Sequence, residues 1–388
     1  MNDSRLETWA RVLVDYSVKV QAGQTVAISG GVAAEPLLAA LYRLVLERGA
    51  FPTMLPTLPG LATMLLGSGS DEQLSYISPI ERFIREQADV TITVLAETNT
   101  KAMSEIDPPR QVLFQKARTE LIDTFMRREV EGTVNWTLTL YPTDAYAQDA
   151  DMATADFAEF VLKAGKLDAP DPIAAWQAQG AEQQRLIDWL AGKREVRLRG
   201  RDTDLTLSVE GRTWVNACGI RNFPDGEIFT GPVEDSVDGH VRFSFPAVTA
   251  GREVEDVRLR FHGGRVVDAS AARNEDYLHR MLDTDAGARV LGEFAIGTNF
   301  GIERFTKNIL FDDEDRRHGA HGARRWDPGS RQHQSLGDSL GSDLRFTRGR
   351  FGRYRRRAIP AGWADRGLDR PWIQGSAESV PRSFGGGW

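Results

Sequence analysis

Apolar residues recur at three- and four-residue intervals from the start of the chain. Leu6, Trp9, Leu13 and Tyr16 share one helical face, which predicts an opening helix with that stripe in the core. Gln24 to Ser29 reads as a strand that ends in Gly30-Gly31. A helix should follow, entered near Pro36, carried by Leu37, Leu41, Leu44 and Val45, and stopped at Gly49. Val90 to Leu95 is a short β-branched run of the kind that forms a buried strand, with helical stretches on either side. Strand, turn and helix in alternation predict an α/β domain.

The period changes after Asp168-Ala169-Pro170-Asp171-Pro172, a proline-bearing break. Val241 to Phe245 and Val257 to Phe261 alternate apolar with polar residues, as half-buried antiparallel strands do. Gly263-Gly264 can turn the second of these into Val266-Val267, and Glu275 to Leu282 reads as a helix. The fold class expected is therefore α/β, with an N-terminal α/β domain over 1–167. A C-terminal α+β domain over 168–314, mainly antiparallel sheet, follows it.

Length and composition fit two globular domains, since 388 residues exceed what a single core usually serves. The net charge of -7 argues against a nucleic-acid or anionic-membrane partner. Cys218 is the only cysteine, so neither an internal disulfide nor a cysteine-built zinc site is available. The start lacks a cationic, then apolar, leader, and no stretch offers the roughly 18 apolar residues of a membrane span. A cytoplasmic protein is expected. Gly30-Gly31 before a helix could suggest a phosphate cradle, but the spaced glycines and downstream acidic residue of the dinucleotide fingerprint are absent.

Two carboxylates each follow a glycine in a segment with turn or strand signals. Glu227 stands in Asn222-Phe223-Pro224-Asp225-Gly226-Glu227-Ile228-Phe229-Thr230-Gly231-Pro232, and Glu293 in Leu291-Gly292-Glu293-Phe294-Ala295-Ile296-Gly297. These segments resemble the thermophilic-type metallo-aminopeptidases, of the aminopeptidase T and aminopeptidase S kind. So do Tyr16 to Gln24, Trp136 to Thr143, Ala147 to Met152, Leu282 to Arg289 and Asn308 to Asp312. The resemblance implies that Glu227 and Glu293 are metal ligands in the C-terminal domain, and that the cofactors are two divalent metal ions, zinc, cobalt or magnesium. It also implies a homodimer acting on peptides with a free N-terminus. Paired ions about 3.5–4 Å apart activate a water and polarise the scissile carbonyl. No separate catalytic acid or base is assigned.

Beyond Asp312 the family continues with a ligand histidine in His-x-Ala-Leu-Gly and a later His-x-Asp pair, and this chain has neither. From Asp315 onward there are fifteen Arg, no Lys and thirteen Gly, and a segment of charge +8 is joined to a remainder of -15. One inserted nucleotide in the codon of Asp313 would explain the shift. In the alternative frame, codons compatible with 313–322 and 338–344 restore a histidine motif and a His-Trp-Asp motif. Residues 315–388 then read as an aberrant Arg/Gly-rich tail, disordered rather than a nucleic-acid patch. His321, three residues after His318, is the candidate replacement ligand, although Gly319 and Gly322 disfavour the helix that would align the two. The expected function is a metal-dependent aminopeptidase impaired by its missing His and Asp ligands. The alternative is a catalytically inactive homologue that serves as a dimeric interaction protein.

Overall fold

The structure is a computed structural model that describes residues 4–249, 252–283 and 287–312. In the first half the elements run α1 (Arg5–Arg11), β1 (Thr25–Gly31), α2 (Glu35–Glu47), β2 (Phe51–Thr57), α3 (Leu61–Ser68), α4 (Asp71–Ser75), α5 (Pro79–Glu86), β3 (Val90–Leu95), α6 (Pro108–Val130) and β4 (Asn135–Leu140). Next come α7 (Asp144–Asp149), α8 (Thr154–Ala164) and the long α9 (Pro172–Leu190). The remainder is β5 (Glu195–Gly200), β6 (Thr203–Ser208), β7 (Val215–Ala217), β8 (Asn222–Phe223), β9 (Glu227–Thr230), β10 (Asp238–Arg242), β11 (Ala247–Thr249), β12 (Arg252–Val254), β13 (Arg258–His262), β14 (Arg265–Ser270), α10 (Glu275–Leu282), β15 (Phe294–Gly297) and α11 (Ile309–Asp312).

The first sheet has the order β2-β1-β3-β4-β8, and each neighbouring pair in it is parallel. Every residue of β3 is buried, as helices on both faces of a parallel sheet require. The opening stripe of Leu6, Trp9, Leu13 and Tyr16 is buried as expected, but α1 widens into a π-helical turn over Val12–Ser17. The two glycines closing β1 serve close packing against β3. A Cβ on Gly30 would lie 2.9 Å from Val94 O, and one on Gly31 would lie 2.7 Å from Ala96 O.

The second sheet, β14-β13-β10-β6-β5, is antiparallel throughout. Its alternating face carries Leu205, Leu207, Val241, Leu259, Phe261 and Val266 onto Leu278 and Leu282 of α10. The chain is thus an α/β fold with a mainly antiparallel second sheet. β10 starts at Asp238, three residues before the strand expected from Val241. Gly239, with φ of +119° and an ideal Cβ 2.1 Å from Asp204 O, lets the chain approach β6 early. Phe245 instead leaves the sheet to stack on Phe305 with ring centroids 4.6 Å apart. The Gly263-Gly264 turn and the Glu275–Leu282 helix are found where the pattern puts them.

A shorter sheet, β15-β9-β7, holds both glycine-glutamate segments. The chain passes from one sheet to another within a few residues here. β8 pairs with β4 of the parallel sheet, Leu138 opposite Asn222 and Thr139 opposite Phe223, and β9 begins at Glu227. Phe223, Ile302, Leu310 and Phe311 accordingly belong to the core of the parallel sheet, although all follow the proline break at 168–172. Among the described residues no helix is long and apolar enough to cross a membrane.

A buried ion pair ties the excursion between β2 and β3 to α6. Arg118 is 6% exposed and its Nε donates to Glu81 Oε1 at 2.6 Å. Its Nη atoms donate to the carbonyls of Leu74, Phe114 and Tyr76, and its guanidinium covers the Phe114 ring at 3.5 Å. Arg118→Met should remove about 3–5 kcal/mol of stability, because Glu81 would lose its hydrogen-bonded partner and the Leu74 and Tyr76 carbonyls a buried donor. The midpoint of chemical denaturation checks this. A variant as stable as the parent would mean that solvent reaches the pair freely.

Candidate metal centre

Glu227 opens β9 and is a buried carboxylate, 5% exposed. Buried amides fix the backbone on either side of it. Gln183 of α9, 1% exposed, donates through Nε2 to the carbonyls of both Glu227 and Ala217, which face each other across the β7–β9 ladder. Asn299, fully buried, donates through Nδ2 to Asp225 O at 2.7 Å and to Ala164 O at 3.0 Å, while its Oδ1 accepts from Gly301 N at 2.9 Å. Thr298 donates from both N and Oγ1 to Gly226 O, and Gln179 Nε2 donates to Thr298 O and Oγ1. Gly226 has φ of +128°, and a Cβ there would fall 2.4 Å from Asn299 Cβ. Only glycine suits that crossing.

Asp225, 1% exposed, folds back on its own loop, its Oδ1 accepting from Gly226 N at 2.8 Å and its Oδ2 from Gly219 N at 3.3 Å. The opening helical segment closes the other side. Tyr16 Oη donates to Cys218 O at 2.8 Å, and Ser17 Oγ to Gly219 O at 2.6 Å. Burial, followed by the nearby Cys218 and Asp225, pushes the Tyr16 phenol well above its ordinary range. Burial raises the Cys218 thiol as well, against a lowering hydrogen bond with Tyr16, so this cysteine is held as a neutral thiol rather than an activated nucleophile.

Glu293 immediately precedes β15 and is half-buried. In the β9–β15 ladder Gly297 faces Glu227 and Phe294 faces Thr230. Ile228 and Phe294 pack into the core of the second sheet. By alternation, Glu227, Phe229 and Ala295 point to the opposite face, and Glu293 continues that series. The two glutamates therefore share a face but stand at opposite ends of the ladder, four residues or about 13 Å of strand apart. The ladder itself does not bring them together.

Among the described residues no group of three or more His, Cys, Asp or Glu is placed to hold a metal ion. Two carboxylates supply suitable oxygen donors but fall short of the three protein ligands that a catalytic zinc ordinarily takes. The described residues alone thus do not complete a metal site. His321 and His318, with the rest of residues 315–388, lie outside the described residues. His262 sits 2.9 Å from Asp238 on the exposed β13–β14 turn, while His240 and His279 lie on β10 and α10.

The buried amides around Glu227 escaped the reading of the sequence. Gln179 and Gln183 resemble solvated helix positions, yet they continue the buried stripe of Pro172 and Trp176 at helical spacing. A polar residue on an otherwise apolar helical stripe was the available signal.

Comparison with known proteins gives this arrangement its context. Residues 2–328 match the family described as Thermophilic metalloprotease (M29). Aminopeptidase 2 of Geobacillus stearothermophilus is 27% identical over 328 residues, covering 76% of this chain and 76% of that protein. Aminopeptidase T of Thermus aquaticus is 30% identical over 213 residues, covering 50% and 52% of the two chains. Among solved structures, wild-type AmpT from Thermus thermophilus superposes with a TM-score of 0.71 at 25% identity, covering 80% of this chain and 83% of that one. With a family match spanning most of its length and a fold shared with one of those relatives, the chain belongs to the thermophilic metalloprotease (M29) family.

Proposed function

We propose that this chain is a metal-dependent aminopeptidase by construction, removing N-terminal residues from peptides, and that it works poorly as it stands. The observation that carries the proposal is the buried Glu227 on a clamped loop, on the same ladder face as Glu293, in a chain whose relatives are aminopeptidases. A pair of divalent ions, zinc, cobalt or magnesium, would supply an activated water and a grip on the free α-amine. The chain's own contribution is rigidity. Gln183 and Asn299 fix the backbone that presents Glu227, so the carboxylate can be held in one orientation.

The impairment follows from the sequence beyond Asp312, where the histidine and aspartate motifs of the family are replaced by an Arg/Gly-rich stretch. His321 is the one histidine proposed to make up the loss. A homodimer in the cytoplasm, without nucleic-acid or membrane partners, completes the reading.

Zinc content and leucyl-anilide hydrolysis of the purified chain test it, beside a gene with the reading frame restored at codon 313. The expected results are slow, chelator-sensitive hydrolysis by the present chain and fast hydrolysis by the corrected one. Absence of turnover in both would defeat the aminopeptidase reading, and equal turnover in both would defeat the impairment. In the corrected chain Glu227→Gln should lower zinc affinity by about 10–100-fold or more. Unchanged zinc stoichiometry and affinity would remove Glu227 from the ligand set.

A further inference from the structure

A cavity of about 470 Å³ lies between the segment that leaves the carboxyl end of β3 and the β11–β12 hairpin. Lys101, Ser104 and Glu105 line it from the first, Arg252 and Glu253 from the second, and Arg273 and Asn274 close it just before α10. A second cavity of about 440 Å³ adjoins it and shares Arg252 and Asn274. Open parallel sheets place their ligands outside the carboxyl ends of the strands, where the direction of winding reverses. The order β2-β1-β3 makes that reversal beside β3.

The cations here are not equivalent. Glu253 is approached by Lys101 at 3.4 Å, Lys307 at 3.5 Å and Arg273 at 3.7 Å, and Arg273 is shared with Glu255 at 2.9 Å. Those three cations have carboxylate partners. Arg252 differs: among the described residues no carboxylate lies within ion-pair distance of it. One Nη2 bond to Ser104 O at 3.1 Å and the Tyr277 ring, 5.3 Å from its guanidinium carbon, hold the side chain in place. Most of its five N–H donors remain uncommitted. A guanidinium fixed by a ring and a carbonyl, lining two adjoining cavities, is a preorganised receptor for a planar anion.

We propose that this cleft binds a carboxylate, the C-terminal carboxylate of a short peptide, with Arg252 as its two-pronged receptor and Lys101 and Arg273 as supporting charge. The first cavity is lined by three cations against two carboxylates and the second adds Arg280 against Glu275 and Asp276, so the attraction for an anion is local to Arg252, whose charge no carboxylate within ion-pair distance offsets among the described residues. The first cavity's volume suits a few residues and not a folded chain. Assigning the carboxylate to a peptide rests on the aminopeptidase reading.

The test titrates N-acetyl-diglycine, its C-terminal amide and inorganic phosphate into the full chain carrying ¹⁵N-labelled arginine. The Arg252 Nε–H resonance is identified by its loss in Arg252→Lys. The acid should shift that resonance saturably and bind about ten-fold more tightly than the amide. Arg252→Lys, with its thermal midpoint retained, should bind the acid no better than the parent binds the amide, because an ammonium lacks the fork. Equal binding of acid and amide, an unperturbed Arg252, or a response to phosphate alone would each overturn the proposal. The acetyl group removes the free amine, so the titration is independent of hydrolysis. Leucyl anilide carries no carboxylate, so its failure to be cleaved would count against the aminopeptidase reading and not against the cleft.

Discussion

Deleting one nucleotide from codon 313 is expected to raise kcat/KM for leucyl anilide by about two orders of magnitude or more, with bound zinc rising towards about two per chain. The size follows from coordination chemistry. A catalytic zinc takes three protein ligands and a water, and two glutamates on opposite ends of one ladder cannot enclose an ion by themselves. Imidazole and a second carboxylate from the restored frame would supply what the described residues lack. Because metal binding also contributes folding energy, the corrected chain should melt at a higher temperature with zinc than with a chelator. Steady-state kinetics, elemental analysis and a thermal melt check the three parts separately. A corrected chain that gains neither metal nor turnover would mean that the tail is not the cause of any deficit.

The second large effect is expected at a position without a side chain. Gly226→Ala should cost about 4 kcal/mol, combining a left-handed backbone that an L-residue resists with a Cβ forced against Asn299. The crossing is tight on both sides, since Thr298 donates twice to Gly226 O and Asn299 is anchored to Ala164 and Asp225. Neither partner can move without breaking buried bonds, so strain should pass to Glu227. The denaturation midpoint reads the first consequence, and zinc affinity of the frame-corrected Gly226→Ala chain reads the second. A midpoint within about 1 kcal/mol of the parent would show that the loop relaxes easily.

Much of this architecture could be read in the order of residues, for reasons that differ by element. β3 and α10 were legible because burial on both faces, or along one stripe, writes an unambiguous period. β10 was misplaced by three residues because its register is set by the approach of Gly239 to Asp204, a tertiary contact that no local period records. β8 is two residues long and pairs with a strand more than 80 positions earlier, as the bond from Thr137 Oγ1 to Arg221 O, 84 residues apart, illustrates. It could not have been found locally. At the candidate site, the family resemblance singled out Glu227 and Glu293, whereas the amides that hold the first of them only became visible in three dimensions.

The hydrogen bonds described around Glu227 and its loop are made among residues 16–301, upstream of codon 313. A lesion at that codon would therefore strip the downstream ligands while leaving the scaffold for the first carboxylate intact. Such a gene would carry a dormant half-centre, one indel away from reversion, instead of a ruin that needs many compensating mutations.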